Sequence, residues 1–215
     1  MTIRSLRRFR PNSGNVVAVS QRNRKGRLDP ASGLFETSRY SDGDSIDPGP
    51  AFPDKTLPMT FAIDIARNGS SPVGVIFEIG SDTGGTALWV EDGTTNIKFS
   101  AGDDVATDDG LTITATGAIV ADDDVLKIVV AVLPGSGEAK MWINGKLVAA
   151  GQSVSGTMPQ WTSGALGAVG EISGTVIDRV TSGSDVNLSD VDIVSPLRIY
   201  YNQLPKGFAA QPNSY

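Results

Sequence analysis

The chain has no cysteine and no histidine. Without thiols there is no disulfide, no thiolate metal ligand and no cysteine nucleophile. Without imidazole the usual general base, the usual metal ligand and the side chain that titrates near neutral pH are all missing. Long apolar runs are absent as well. Behind Arg4, Arg7, Arg8 and Arg10 the only apolar run is Val16-Val17-Ala18-Val19, whereas a secretory core needs about 7–15 apolar residues and a membrane-spanning helix about 20. These absences predict a protein made and folded in a cytosol, with no membrane partner.

The charge is divided unevenly. Residues 1–40 carry nine Lys/Arg and two Asp/Glu, a net of +7, and the remainder carries −13, which together make the chain's −6. A basic segment ahead of an acidic body suggests two tasks, one of them docking onto something negative. Residues 1–56, rich in Arg, Gly, Ser and Pro and ending in Asp47-Pro48-Gly49-Pro50-Ala51-Phe52-Pro53, read as an extended N-terminal arm with a stiff joint. Its anchoring residues are expected to be Arg4, Arg7, Arg8, Arg10, Arg22, Arg24, Lys25 and Arg27, with Leu34 and Phe35 as apolar points of attachment. Cations interleaved with apolar and acidic residues fit a protein surface better than a nucleic acid, whose binding tails are denser in charge.

Among the 215 residues are 25 glycines and 12 prolines, set between short Val/Ile/Thr-rich runs, which points to an all-β protein with many turns. Met59, Phe61, Ile63 and Ile65 alternate with Thr60, Ala62 and Asp64, the period of a half-buried strand. Further strands are predicted over 72–79, 86–91, 97–99, 111–116, 125–133, 138–143, 146–150, 165–169, 175–180 and 197–201. Val125–Leu133, apolar except for Lys127, has the composition of a central strand. Asn144-Gly145 is a two-residue hairpin signal, since a type I′ turn needs positive φ at both positions. Short antiparallel strands in this number should pack as a two-sheet sandwich over 57–204, followed by a tail over 205–215.

Leu126–Val132, a glycine turn and Lys140-Met141-Trp142-Ile143-Asn144-Gly145-Lys146-Leu147 resemble the central hairpin of concanavalin A-like and laminin G-like jelly rolls. Val75–Gly80 with Ala87–Val90 resembles the strand pair before it, and Leu197-Arg198-Ile199-Tyr200-Tyr201-Asn202 the closing strand. The resemblance implies a jelly-roll sandwich and leaves activity open. Glycanases of this fold carry a Glu-x-Asp-x-(x)-Glu string, which this chain lacks, so no enzyme and no catalytic residue is expected.

Alternation places Trp142 outward beside Lys140 and Asn144, with Met141 and Ile143 inward. Trp89 shares that logic through Ala87 and Glu91, and Tyr200 joins them as a candidate for glycan or subunit contact. An outward aromatic can stack on a sugar, anchor a subunit, or cover an apolar patch closed by a loop or by the arm. Asp103, Asp104, Asp122, Asp123 and Asp124 lie in acidic turns that can offer oxygens to Ca²⁺, though no EF-hand string is present. A cytosol-made, lectin-like body with a basic arm reads as a bacteriophage virion structural protein, a capsid decoration or cement protein. Its partners are then capsid proteins and further copies of itself, with a host-surface glycan as a further contact. The alternatives are a glycan-binding adhesin module of a tail or fibre and a shell-forming coat protein.

Overall fold

The computed structural model describes residues 27–29, 34–36, 44–45, 57–67, 74–81, 84–91, 93–103, 110–119, 125–153, 168–169, 191–206 and 208. At 27–29, 35, 44–45, 78–81, 84–85, 102–103 and 168–169 it describes the backbone path alone. The strands are β1 (Arg27–Asp29), β2 (Leu34–Glu36), β3 (Asp44–Ser45), β4 (Met59–Arg67), β5 (Gly74–Ser81), β6 (Gly84–Val90) and β7 (Ile97–Asp103). They continue with β8 (Leu111–Ala115), β9 (Val125–Leu133), β10 (Glu138–Ile143), β11 (Lys146–Gln152), β12 (Ala168–Val169), β13 (Val191–Ile193) and β14 (Arg198–Tyr201). The strand expected over 175–180 lies outside the described residues.

Two antiparallel sheets form the sandwich. The larger runs β1-β2-β14-β4-β9-β10-β11, with β13 also pairing β4, and the smaller runs β5-β6-β7-β8. A two-stranded ribbon of β3 and β12 lies against β5. This is the all-β jelly-roll architecture of the concanavalin A-like and laminin G-like type that the sequence predicts.

Period-two alternation decides which side chains meet between the sheets. On β4, Met59, Phe61, Ile63 and Ile65 are buried at 2% exposure or less, and they join Leu126, Ile128, Val130 and Val132 of β9 in one apolar cluster. From the smaller sheet come Leu88, Val90, Ile97, Phe99, Ala101 and Ile113. A bulge in β5 leaves Val75 opposite Trp89 and Phe77 opposite Leu88, so Ile76 and Phe77 both enter the core. Three rings bridge the sheets: Phe61 stacks on Phe77 with centroids 5.3 Å apart and meets Phe99 at 5.8 Å.

The expected turns are built as their residues dictate. Asn144 and Gly145 have φ of 51° and 79°, the left-handed pair of a type I′ turn, whose twist matches that of the strands it joins. Asn144 stitches this turn to β9, its Oδ1 accepting the Lys127 N–H at 2.9 Å while its own N–H donates to the Lys127 carbonyl at 2.9 Å. Pro134-Gly135-Ser136 forms a 3-10 turn. At Gly151 the neighbouring edges of the two sheets approach closely, for a Cβ there would lie 2.9 Å from Ile113 Cγ2 and 3.0 Å from Leu111 Cδ1.

Within the stretch expected to be an arm, β1 and β2 pair antiparallel, and β2 pairs with β14 in the chain's own larger sheet. There Glu36 Oε1 accepts from Arg198 Nε at 3.1 Å.

Candidate functional site

Among the described residues, the outer face of the larger sheet brings polar and aromatic side chains of β14, β4 and β10 together. Register alone sets two rows across β14, β4, β9 and β10. One runs Tyr200, Thr60, Ala131, Lys140 and the next Arg198, Ala62, Val129, Trp142. Three strand spacings of about 4.8 Å separate the ends of each row by roughly 14 Å. Between Tyr200 at one end and Trp142 at the other, the floor is made of the small side chains of Thr60, Ala62 and Ala131, so the face is a trough with an aromatic at each side.

The chain crosses this trough itself. After β14, the Asn202 N–H donates to the Pro58 carbonyl at 2.7 Å, and Thr60 Oγ1 donates to the Gln203 carbonyl at 2.7 Å. The Phe208 N–H donates to the Pro205 carbonyl at 3.1 Å, a tight turn that sets Phe208 over β10. Its ring, 5% exposed, lies 6.3 Å from that of Trp142 and 4.6 Å from Lys140 Nζ. Lys140 Nζ donates to the Phe208 carbonyl at 2.7 Å. Beside this strap a cavity of about 290 Å³ remains open, lined by Thr60, Ala62, Val129, Tyr200, Gln203, Leu204 and Pro205. Leu204 is among the exposed large apolar side chains.

Of the aromatic candidates, Tyr200 lines that cavity with its side chain half-buried. Trp142 does project from the outer face, but Phe208 covers part of it. Trp89 differs from expectation. It projects from the side of its sheet facing away from the core cluster, and is nevertheless only 2% exposed, beside fully buried Ala87 and Ser100. Alternation fixed the side on which it projects and could not tell that this side is covered too.

Arg4, Arg7, Arg8, Arg10, Arg22, Arg24 and Lys25 lie outside the described residues, as do Asp104, Asp122, Asp123 and Asp124. Arg27 lies in β1, Leu34 and Phe35 in β2, and Asp103 ends β7. Among the described residues no three carboxylates gather as a metal site would require, and no helix is long and apolar enough to cross a membrane.

A second hollow of about 340 Å³ lies at the far end of the sandwich, between Ala115–Ala118 and Ile143, Lys146, Leu147 and Val148. It has no aromatic wall and one charge, that of Lys146. On the smaller sheet, Glu91 binds Lys98 and accepts from Asn96 Nδ2 at 2.8 Å. The bond from Lys98, then that from Asn96, holds the Glu91 carboxyl below its ordinary range, while burial pushes the Tyr201 phenol upward. Glu91 lies on the other sheet, and Tyr201 faces the core from the side of β14 opposite Tyr200.

No protein-family model matches the sequence, and no curated protein matches it. Solved structures do match the fold. Ruminococcus gnavus IT-sialidase CBM40 bound to α2,6-sialyllactose aligns with a TM-score of 0.58 at 12% identity, covering 80% of this chain and 94% of that one. A leech intramolecular trans-sialidase aligns with a TM-score of 0.59 at 10% identity over 85% of this chain and 27% of that one. Mouse laminin α1 domains LG4-5 align with a TM-score of 0.47 at 16% identity over 80% and 42%. The nearly complete cover of the CBM40 chain, against about a quarter of the trans-sialidase, shows a match to a CBM40-sized fold unit.

These likenesses overturn the expectation of a virion structural protein. These matching structures include sialidase CBM40 modules, and none of them is a capsid decoration, cement or coat protein. Within the basic N-terminal stretch, residues 27–29 and 34–36 are strands of the sandwich itself.

Proposed function

We propose that the chain is a glycan-binding module, with no catalysis of its own, that takes sugar in the trough on the outer face of its larger sheet. The observation that carries this reading is the cavity around Tyr200, which combines a half-buried aromatic wall, a floor of small side chains and the exposed Leu204. A sugar ring presents an apolar face and a rim of hydroxyls. The first fits a phenol and an apolar lip. The second fits groups that both donate and accept, and these stand at the margin as the Gln203 side-chain amide and the Arg198–Glu36 pair, each partner of which is 41% exposed. Fold likeness to a CBM40 that holds sialyllactose supports the class of ligand and carries nothing about individual residues.

A glycan array probed with the whole chain tests the reading, followed by titration of the best ligand. Tyr200→Ala should weaken that ligand at least about tenfold, a loss of about 1.4 kcal/mol, with the melting temperature nearly unchanged because the side chain is not in the core. No signal for any glycan, or full binding by Tyr200→Ala, refutes it.

A further inference from the structure

Lys140 is the most anomalous side chain of the outer face. It is only 4% exposed, and an ammonium is almost never buried so far unless it is paired. It has three donors, and among the described residues one carbonyl, that of Phe208, accepts from it. The ring of the same residue lies over its charge. The described ion pairs are Lys98–Glu91 and Arg198–Glu36, and neither includes Lys140. The chain's own strap therefore lays an aromatic ring and a neutral oxygen on a cation flanked by an indole.

We propose that Lys140 and Trp142 form a second subsite of the trough, selective for a carboxylate-bearing sugar, and that Phe208 occupies this subsite in the unliganded chain. The inference rests on the glycan-binding reading and deepens it by naming an acidic ligand. The Phe208 ring stands where a sugar ring stacks on Trp142, and its carbonyl oxygen stands where one carboxylate oxygen sits. A carboxylate is the better acceptor, because a charge-assisted bond is roughly twice as strong as a neutral one and the buried ammonium gains a counter-charge. The strap can yield, since among the described residues its hold on β10 is this one side chain and one hydrogen bond, at the end of a turn closed by Pro205. Tyr200 lies on the same row as Lys140, roughly three strand spacings or about 14 Å away. One oligosaccharide can thus reach both.

The test is calorimetric titration of the full chain, Phe208→Ala and the Phe208→Ala/Lys140→Met pair with two acidic probes and their neutral counterparts. The probes are trigalacturonate against its methyl ester, and sialyllactose against lactose. Phe208→Ala should bind at least one acidic probe about tenfold more tightly than the parent does, and adding Lys140→Met should erase the preference over the neutral counterpart. The acidic probe that gains identifies a uronic or a sialic acid as the source of the carboxylate. If Phe208→Ala does not fold, Phe208→Leu is read in its place, because it keeps an apolar contact on Trp142 and removes the ring from the ammonium. Equal affinity for acidic and neutral probes, or a preference that survives Lys140→Met, overturns the subsite while leaving the groove at Tyr200 standing. Failure of every variant to bind any of these probes overturns the subsite, and the glycan reading falls with it where the glycan array is silent as well.

Discussion

Phe61 tests whether the two sheets are joined as described. It projects from β4 into the core at 1% exposure and touches the smaller sheet through Phe77 and Phe99. Phe61→Ala should cost about 3–5 kcal/mol, the usual loss for truncating a core aromatic. Phe61→Leu keeps most of the apolar volume and loses two ring pairs worth about 0.5–1.5 kcal/mol each beyond burial, so it should cost about 1–3 kcal/mol. At roughly 2–4 °C per kcal/mol for a chain of this size, leucine should lower the melting temperature by about 2–12 °C and alanine by about 6–20 °C. Circular dichroism melts, with denaturant titration to confirm the free energies, read both. Thr60 and Ala62, which flank Phe61 on β4, face the trough, so sugar affinity measured on the folded fraction should not move. Two variants that melt with the parent would refute the bridge, and equal losses for leucine and alanine would refute the assignment of part of it to ring pairing.

Gly151→Ala should destabilise by about 1–3 kcal/mol, a typical cost of overpacking, because its Cβ would press on Ile113 and Leu111; Gly151→Val should cost more, both read from denaturant midpoints. Gly145→Ala should cost about 1–2 kcal/mol, the penalty of a left-handed residue with a Cβ, at φ of 79°. Comparing Glu91→Gln with the parent across pH tests the Glu91 cluster. A carboxyl held below its ordinary range adds stability above the unfolded-state pKa and loses it as the pH falls through the folded one. The gap should therefore stand at neutral pH, remain under about 1 kcal/mol because the pair is partly exposed, begin to shrink near the ordinary carboxyl value of about 4.3, and vanish below the lowered folded-state value.

Much of the sandwich was legible because its strands follow one rule. Alternation in Met59–Ile65, the apolar run of Val125–Leu133 and the Asn144-Gly145 turn each carry a local signal that tertiary packing then reinforces. Where a strand owes its existence to a partner, the signal is missing. β13, Val191-Asp192-Ile193, is three residues long and is held by β4, while β2 is held by β14 and β1 by β2. β1 and β2 sit within a polar, Arg-rich stretch, so the composition around them pointed away from a sheet. The site was legible only in part. Tyr200 could be singled out as an aromatic on a closing strand, whereas the burial of Trp89 depends on a covered outer face that alternation cannot report. The strap left one faint trace, the apolar Leu204 and Phe208 on either side of Pro205 in an otherwise polar tail. The burial of Lys140 left none, since a lysine on the polar side of a strand ordinarily projects into water.

The position of β14 between β2 and β4 has a consequence for the birth of the molecule. β4 lies inside the larger sheet, with β9 on one side and β14 on the other, and β14 is more than a hundred residues downstream. At a synthesis rate of roughly 5–20 residues per second, one side of β4 waits on the order of ten seconds for its neighbour, and β2 waits longer still. Such distant pairing places the chain among slow folders, for which closing long loops precedes any reward. During that interval the apolar alternation of Met59–Ile65 is an open strand edge beside a ribosome, the kind of edge that recruits other chains. Asp64 and Arg67 are the charges that this edge carries against that hazard, and exchanging them for apolar residues should harm the yield of soluble protein far more than the stability of the finished fold.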